Sequence, residues 1–296
     1  MSVHRIGRIA SRVRVGLVDW LEDRLSEELA ALAQRCIAGF SDDRPVSPSL
    51  VRSRLANALT GEPPVLALAR DGRELVGWCA VRRPEPGERR ARLWGPVVAP
   101  SVRRAGLGTV LLDTVVDAAS WPLVTTDVPA DREGAADFFT RSGWRQLNTI
   151  TVLHGTPTKG GFEVVTAEGV EDLDTYVAAS ALRLGHHEPA FAESTLLRWR
   201  DDARFRLENV LLDTATGSLL LALAQRNEVG SELLLAEVWA GAPQVRRRLI
   251  TAAHTAAAAQ HLATVRAVTR QDPADLVACG MRITGRCLTF TLPREL

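Results

Sequence analysis

Val97-Val98-Ala99-Pro100-Ser101-Val102-Arg103-Arg104-Ala105-Gly106-Leu107-Gly108-Thr109-Val110-Leu111-Leu112 runs from an apolar strand through a basic, glycine-bearing turn into an apolar helix. Gly106 and Gly108 carry no Cβ, so the backbone there can turn tightly and bring its N–H groups close to an anion. The helix that follows adds unpaired N–H groups and the positive end of its dipole, and Arg103 and Arg104 add permanent charge. Phosphate is the guest such a turn suits. Two other phosphate loops do not fit. A P-loop needs Gly-x-x-x-x-Gly-Lys-Ser/Thr, and the only lysine is Lys159. A dinucleotide fingerprint needs a third glycine where Leu111 stands and a carboxylate closing a strand about twenty residues on, where only Asp127 comes near.

The surroundings of this turn give its fold class. Arg12 to Val15 alternates charge and apolarity as a short strand does. From Gly16 to Phe40 apolar residues recur at helical spacing, with Leu17, Trp20, Leu21, Leu25, Leu29, Leu32 and Cys36 on one face. Ser47 caps and Pro48 opens a second helix to about Leu59, which Gly61-Glu62-Pro63-Pro64 ends. Val65–Arg70 and Glu74–Arg82 flank Asp71-Gly72 as a hairpin, and Ala91–Val98 extends the antiparallel set. The cradle helix from Gly106 to about Ser120, a strand at Leu123–Asp127 and a helix at Asp131–Ser142 complete the half.

Arg103-x-x-Gly106-x-Gly108 resembles motif A of the GNAT superfamily of N-acyltransferases, and the element order is that of its fold. Ala135-Ala136-Asp137-Phe138-Phe139-Thr140-Arg141-Ser142-Gly143-Trp144 resembles the family's motif B, an aromatic pair followed by a spacer and Gly-aromatic. The resemblance implies an α/β fold with a mixed sheet. It also implies a coenzyme A site in which Val97, Val98, Arg103, Arg104, Ala105, Gly106, Leu107, Gly108 and Thr109 hold the pantetheine and pyrophosphate of acetyl-CoA or another acyl-CoA. The acyl group then passes to an amine where the fourth and fifth strands splay.

The same order begins again after Thr156-Pro157-Thr158-Lys159-Gly160-Gly161, so the 296 residues read as tandem domains: 1–155, a linker at 156–161, and 162–296. The second turn, Ala240-Gly241-Ala242-Pro243-Gln244-Val245-Arg246-Arg247-Arg248, has no paired glycines after its basic residues, which marks the second domain as degenerate. In layout the chain is similar to other tandem GNAT proteins, with its intact motif A in the first half.

No general base or acid can be assigned from sequence. The family commonly uses a tyrosine as second member of the motif B pair, where this chain has Phe139, and Ala91–Val98 contains no carboxylate. The only tyrosine, Tyr176, lies in a helical pattern of the second half and reads as packed. Asp127 at the mouth of the crevice is a candidate to hold a substrate ammonium or accept its proton, and also reads as a cap before Pro129. His186 follows Gly185 and is a weaker candidate for the substrate site, reading first as a solvated loop residue. Arg246–Arg248 could meet an acidic carrier domain or a nucleic-acid phosphate, though such a run is ordinarily a solvated helix start. Adjacent histidines and widely spaced Cys36, Cys79, Cys279 and Cys287 offer no metal set.

Composition bounds the partners. A net charge of +1 gives no basic field for DNA, 46% hydrophobic residues can fill two cores, and no stretch approaches a membrane span. The expected setting is the cytoplasm and the expected acceptor a small-molecule amine. Alternative donors are an acylated carrier protein or an aminoacyl-tRNA; a further alternative is a CoA-binding regulatory module that has lost the chemistry.

Overall fold

The computed structural model describes residues 12–37, 46–59, 65–84, 90–160, 165–169, 173–183, 199–200, 204–227 and 230–293. Two compact units form: Met1–Asn148 with Leu288–Leu296, and Thr149–Cys287. The sequence boundaries at 155 and 162 fall elsewhere, because two strands are each divided between the units. Strand β6 (Arg145–Gly155) starts in the first unit and ends in the second, whereas β12 (Arg282–Pro293) starts in the second and ends in the first.

In the first unit, β1 (Val13–Val18), β2 (Leu66–Asp71), β3 (Glu74–Arg82) and β4 (Ala91–Val98) are consecutive antiparallel neighbours. Next comes β5 (Leu123–Pro129), parallel to β4, and beyond it the last part of β12. Helices α1 (Asp23–Ile37), α2 (Pro48–Leu59), α3 (Leu107–Ala118) and α4 (Ala135–Arg141) cover the sheet. The helix expected from Gly16 starts instead at Asp23. Residues 13–18 pair along their length with β2, and this ladder overrides the helical spacing of Leu17 and Trp20, which are left exposed. Helix α2 starts as expected, with the Leu50 N–H donating to Ser47 Oγ at 3.2 Å.

Strand β4 pairs with β5 only at Ala91↔Val124 and Arg92↔Thr125, and no further pairing continues toward Val98. The cause lies in β4 itself. Its register with β3 passes from Ala80↔Trp94 to Trp78↔Val97, so Gly95 and Pro96 together oppose Cys79. Gly95 has φ +106°, and a Cβ there would stand 3.0 Å from Trp78 O, so only glycine fits. Pro96 has no N–H to give a ladder. The bulge therefore bends β4 away and opens the crevice.

The first core joins Leu29, Leu32, Leu55, Trp78, Leu111, Leu112 and Phe139 with Phe290 from β12. Phe139 stacks on Phe290 with ring centres 5.7 Å apart and meets Trp144 edge-on at 5.3 Å. That aromatic cluster is what seats the C-terminal strand against α4.

The second unit orders β7 (Val165–Thr166), β8 (Val210–Asp213), β9 (Ser218–Asn227), β10 (Gly230–Trp239) and β11 (Thr264–Thr269), and β11 pairs with Thr151–Gly155 of β6. Strands β10 and β11 are parallel, and β10 too has a register break against β9, between Leu235 and Glu237. Helices α5 (Leu173–Arg183), α6 (Pro243–Ala259) and α7 (Ala274–Ala278) pack on it. One core forms around Leu249, Ile250, Ala253 and Leu153, another around Val177, Leu219 and Trp239. The repeat read from the sequence is thus a repeat of sheet order and of bulge. The helix expected at Phe191–Asp202 lies almost wholly outside the described residues.

Candidate active site

The turn after β4 builds an anion seat from backbone. Pro100–Val102 make a single tight turn, Arg104 takes φ +62°, and Gly106 caps α3 at φ +84°. Left-handed residues alternating with ordinary ones point successive N–H groups into one concavity. The first bond of α3 runs from Val110 N–H to Gly106 O at 3.2 Å, so the amides of Leu107, Gly108 and Thr109 have no acceptor within the helix. No side chain caps them. The exposed Arg103 and Arg104 stand beside this seat.

The individual positions divide by role. Leu107 and Val97 are buried and serve the core with their side chains, leaving their backbones for the site. Gly108 sits inside α3 rather than in the turn: a Cβ there would lie 3.4 Å from the Phe138 ring and 3.7 Å from Pro96, so its smallness lets motif B and the bulge pack against the helix start. Ala105 is half-buried and Thr109 exposed.

At the end of β4 the Val98 carbonyl accepts two hydrogen bonds, from Arg103 Nε at 3.0 Å and from the Cys36 thiol of α1 at 3.3 Å. Arg132, in the turn between β5 and α4, belongs to the same group. Burial lowers its pKa, the nearby Arg103 cation lowers it further, and Cys36 acts in the opposite direction. Sequence gave no hint of Cys36 or Arg132, since each reaches the site from an element far away along the chain.

Asp127 lies exposed on β5, and its Oδ1 accepts the hydroxyl proton of buried Thr289 on β12 at 2.6 Å. The carboxylate is thereby fixed on β5 beyond the stretch that pairs with β4. Thr289 was unreadable in advance because its strand arrives from the far end of the chain. Phe139 is packed among aromatic rings. His186 lies outside the described residues. Tyr176 is structural, its hydroxyl donating to Asp213 O and Ser218 O at 3.2 and 2.9 Å.

The equivalent turn of the second unit is filled by the unit's own charges. Pro243 takes the first helical position of α6 and offers no N–H. Asp275 of α7 accepts from Arg246 Nη1 at 3.4 Å and from Arg247 Nε at 2.8 Å, Arg246 Nη2 donates to Ala240 O, and Arg248 pairs with Asp213 at 2.6 Å. A carboxylate of the protein thus sits with the arginines that a phosphate would need.

Residues 23–144 match the model of the acetyltransferase (GNAT) family. Solved structures share the fold over nearly the whole chain. A GCN5-related N-acetyltransferase from Sphaerobacter thermophilus is 17% identical, with 95% of this chain and 96% of that one covered at a TM-score of 0.70. A tandem GNAT protein from the clavulanic acid biosynthesis pathway is 16% identical, with 96% and 100% covered at 0.63. A glucosamine N-acetyltransferase region of a fungal multi-domain GH3 beta-N-acetylglucosaminidase is 15% identical at 0.71, and there the chain spans 38% of the other protein. No curated protein matches in sequence. The match to the acetyltransferase (GNAT) family covers residues 23–144, and over nearly the whole chain the mixed α/β fold is shared with solved GNAT structures.

Proposed function

We propose that the chain transfers an acyl group, acetyl in the first place, from acyl-CoA to the amine of a small or amino-acid-like acceptor. The observation that supports this best is the run of amides at Leu107–Thr109 without a helical acceptor, behind the left-handed Arg104 and Gly106, at the end of β4 that no longer pairs with β5. The amides of Leu107, Gly108 and Thr109 with Arg103 and Arg104 would hold the diphosphate, and the Val98 backbone the pantetheine. Bound acyl-CoA supplies an activated thioester. The chain then contributes a splayed crevice that holds the two reactants together, a large part of the rate gain in such transfers. The second unit, its turn closed by Asp275, would serve the acceptor side or the fold rather than a second cofactor.

Phe139 and the absence of a carboxylate from β4 favour one other reading, a CoA-responsive module without chemistry. Calorimetry with CoA and thiol release from acetyl-CoA across an amine panel separate them. Binding with turnover supports the enzyme, binding without turnover supports the module, and absence of binding removes both. Acyl-carrier and aminoacyl-tRNA donors enter the same assay as competitors of acetyl-CoA. Among the described residues no helix is long and apolar enough to cross a membrane, and the described cysteines are all free thiols, which suits a reducing cytoplasm.

A further inference from the structure

We propose that Thr289 is a positioning residue for the acyl transfer: its hydroxyl sets the Asp127 carboxylate to receive the acceptor's ammonium, so that the last strand of the chain completes the acceptor side. The inference rests on the N-acyltransferase reading above and adds a residue which that reading does not contain. Thr289 is 1% exposed, so its hydroxyl is shut off from water and must find an acceptor within the protein. Neighbouring hydroxyls meet the same need with backbone. Thr125 and Thr126 of β5 donate to Ala91 O and Leu93 O of β4, and Thr291, two residues further along β12, donates to Val124 O. Those three bonds tie β5 to the strands on either side. Thr289 instead donates to Asp127 Oδ1 at 2.6 Å, the short range of a hydroxyl bonded to an ionised carboxylate.

Asp127 stands two residues past Thr125, the last residue of β5 in register with β4, and so belongs to the stretch where the two strands have parted. It is exposed, and among the described residues its side chain bonds only to Thr289 and pairs with no cation. The charge is therefore not spent inside the fold. With Oδ1 held, the side chain is oriented before any ligand arrives, and an ammonium that binds Oδ2 costs less rotamer freedom. In the transfer, the ammonium gives one proton to Asp127 and so to water, the amine nitrogen bonds to the acyl carbon, and the carbon–sulfur bond breaks. Sulfur takes the electron pair and the nitrogen's second proton, yielding amide and free thiol.

The test uses the full-length protein with acetyl-CoA and reads thiol release with a panel of amino acids, their methyl esters, ethanolamine and diamines, then follows the amine turned over fastest. Thr289→Val keeps the side-chain shape, removes the hydroxyl and leaves the Asp127 carboxylate to water. It should lower kcat/KM for the amine by about tenfold, with acetyl-CoA affinity by calorimetry unchanged. Thr289→Ser should restore most of the loss. Thr291→Val is the matched control, a buried hydroxyl lost from the same strand but bonded to backbone, and should leave amine kinetics unchanged while lowering the melting temperature at least as much. Asp127→Asn should lower kcat/KM further, and adding Thr289→Val to it should bring no additional loss, since the one residue acts through the other. Thr289→Val that behaves like Thr291→Val, Asp127→Asn without effect, or losses that add in the double variant overturn the inference. A wild-type protein that binds no acetyl-CoA, or yields no thiol with any amine, overturns the N-acyltransferase reading itself.

Discussion

Single residues divide into those whose backbone makes the site and those whose side chain makes the core. Gly106 has open space where a Cβ would go, so Gly106→Ala costs only the left-handed backbone, about 1–2 kcal/mol. It should nonetheless weaken CoA binding, because relaxing φ turns the amides away; calorimetry beside a melting curve resolves the two effects. Arg103→Ala is expected to weaken CoA binding with stability changed by no more than about 0.5 kcal/mol, since the side chain is exposed. Phe139→Ala should cost about 3–5 kcal/mol in urea unfolding, because it empties the ring cluster with Phe290 and Trp144. Burial pushes the Cys79 thiol far above its ordinary 9.0, so the folded state keeps a proton that the unfolded state gives up. Stability therefore falls as pH rises past that ordinary value, by at most about 1.4 kcal/mol per unit from this group, and Cys79→Ala should flatten the slope. The tight turn through Arg104 and Gly106 ahead of α3 was readable in sequence because a turn is a local matter. The packing of Gly108 against Phe138, and the meeting of Cys36 with Val98, were not, since they depend on elements brought together only by the fold.

At the scale of elements, hairpins and helices with local signals stood where the sequence puts them: β2 and β3 around Asp71-Gly72, α2 behind Ser47, α3 behind Gly106. The boundary between β1 and α1 did not, because pairing with β2 decides it and that partner lies about fifty residues away. The bulge that opens the crevice was latent in Gly95-Pro96, two residues poorly suited to a continuous strand. The basic run at 246–248 looked like a surface for anions, yet the charges end on Asp275 and Asp213. Asp275→Ala should cost on the order of 1 kcal/mol, because its partners are partly exposed and solvent screens them, and the loss should shrink as salt is added to the unfolding assay.

For the whole molecule, the repeat was readable and the exchange of strands was not. A strand's sequence gives its period and burial but not its neighbour, so nothing in residues 282–293 says which strand they will join. A chain ending at Cys287 should lose Phe290 from the first core, and Thr289 and Thr291 from beside β5. Its first unit is expected to unfold at lower urea than that of the full chain, which circular dichroism can follow, and to lose CoA binding with it.

The division of β12 also bears on biosynthesis. A ribosome delivers residues in order, and domains usually fold as they emerge. Here the first 148 residues must wait for residues 288–293 before their sheet has its neighbour for β5. Nascent chains stalled near residue 250 should remain protease-sensitive in their first half, and that half should gain protection once residues 288–293 have emerged. Its exposed strand edge during the wait is a place for a chaperone to hold.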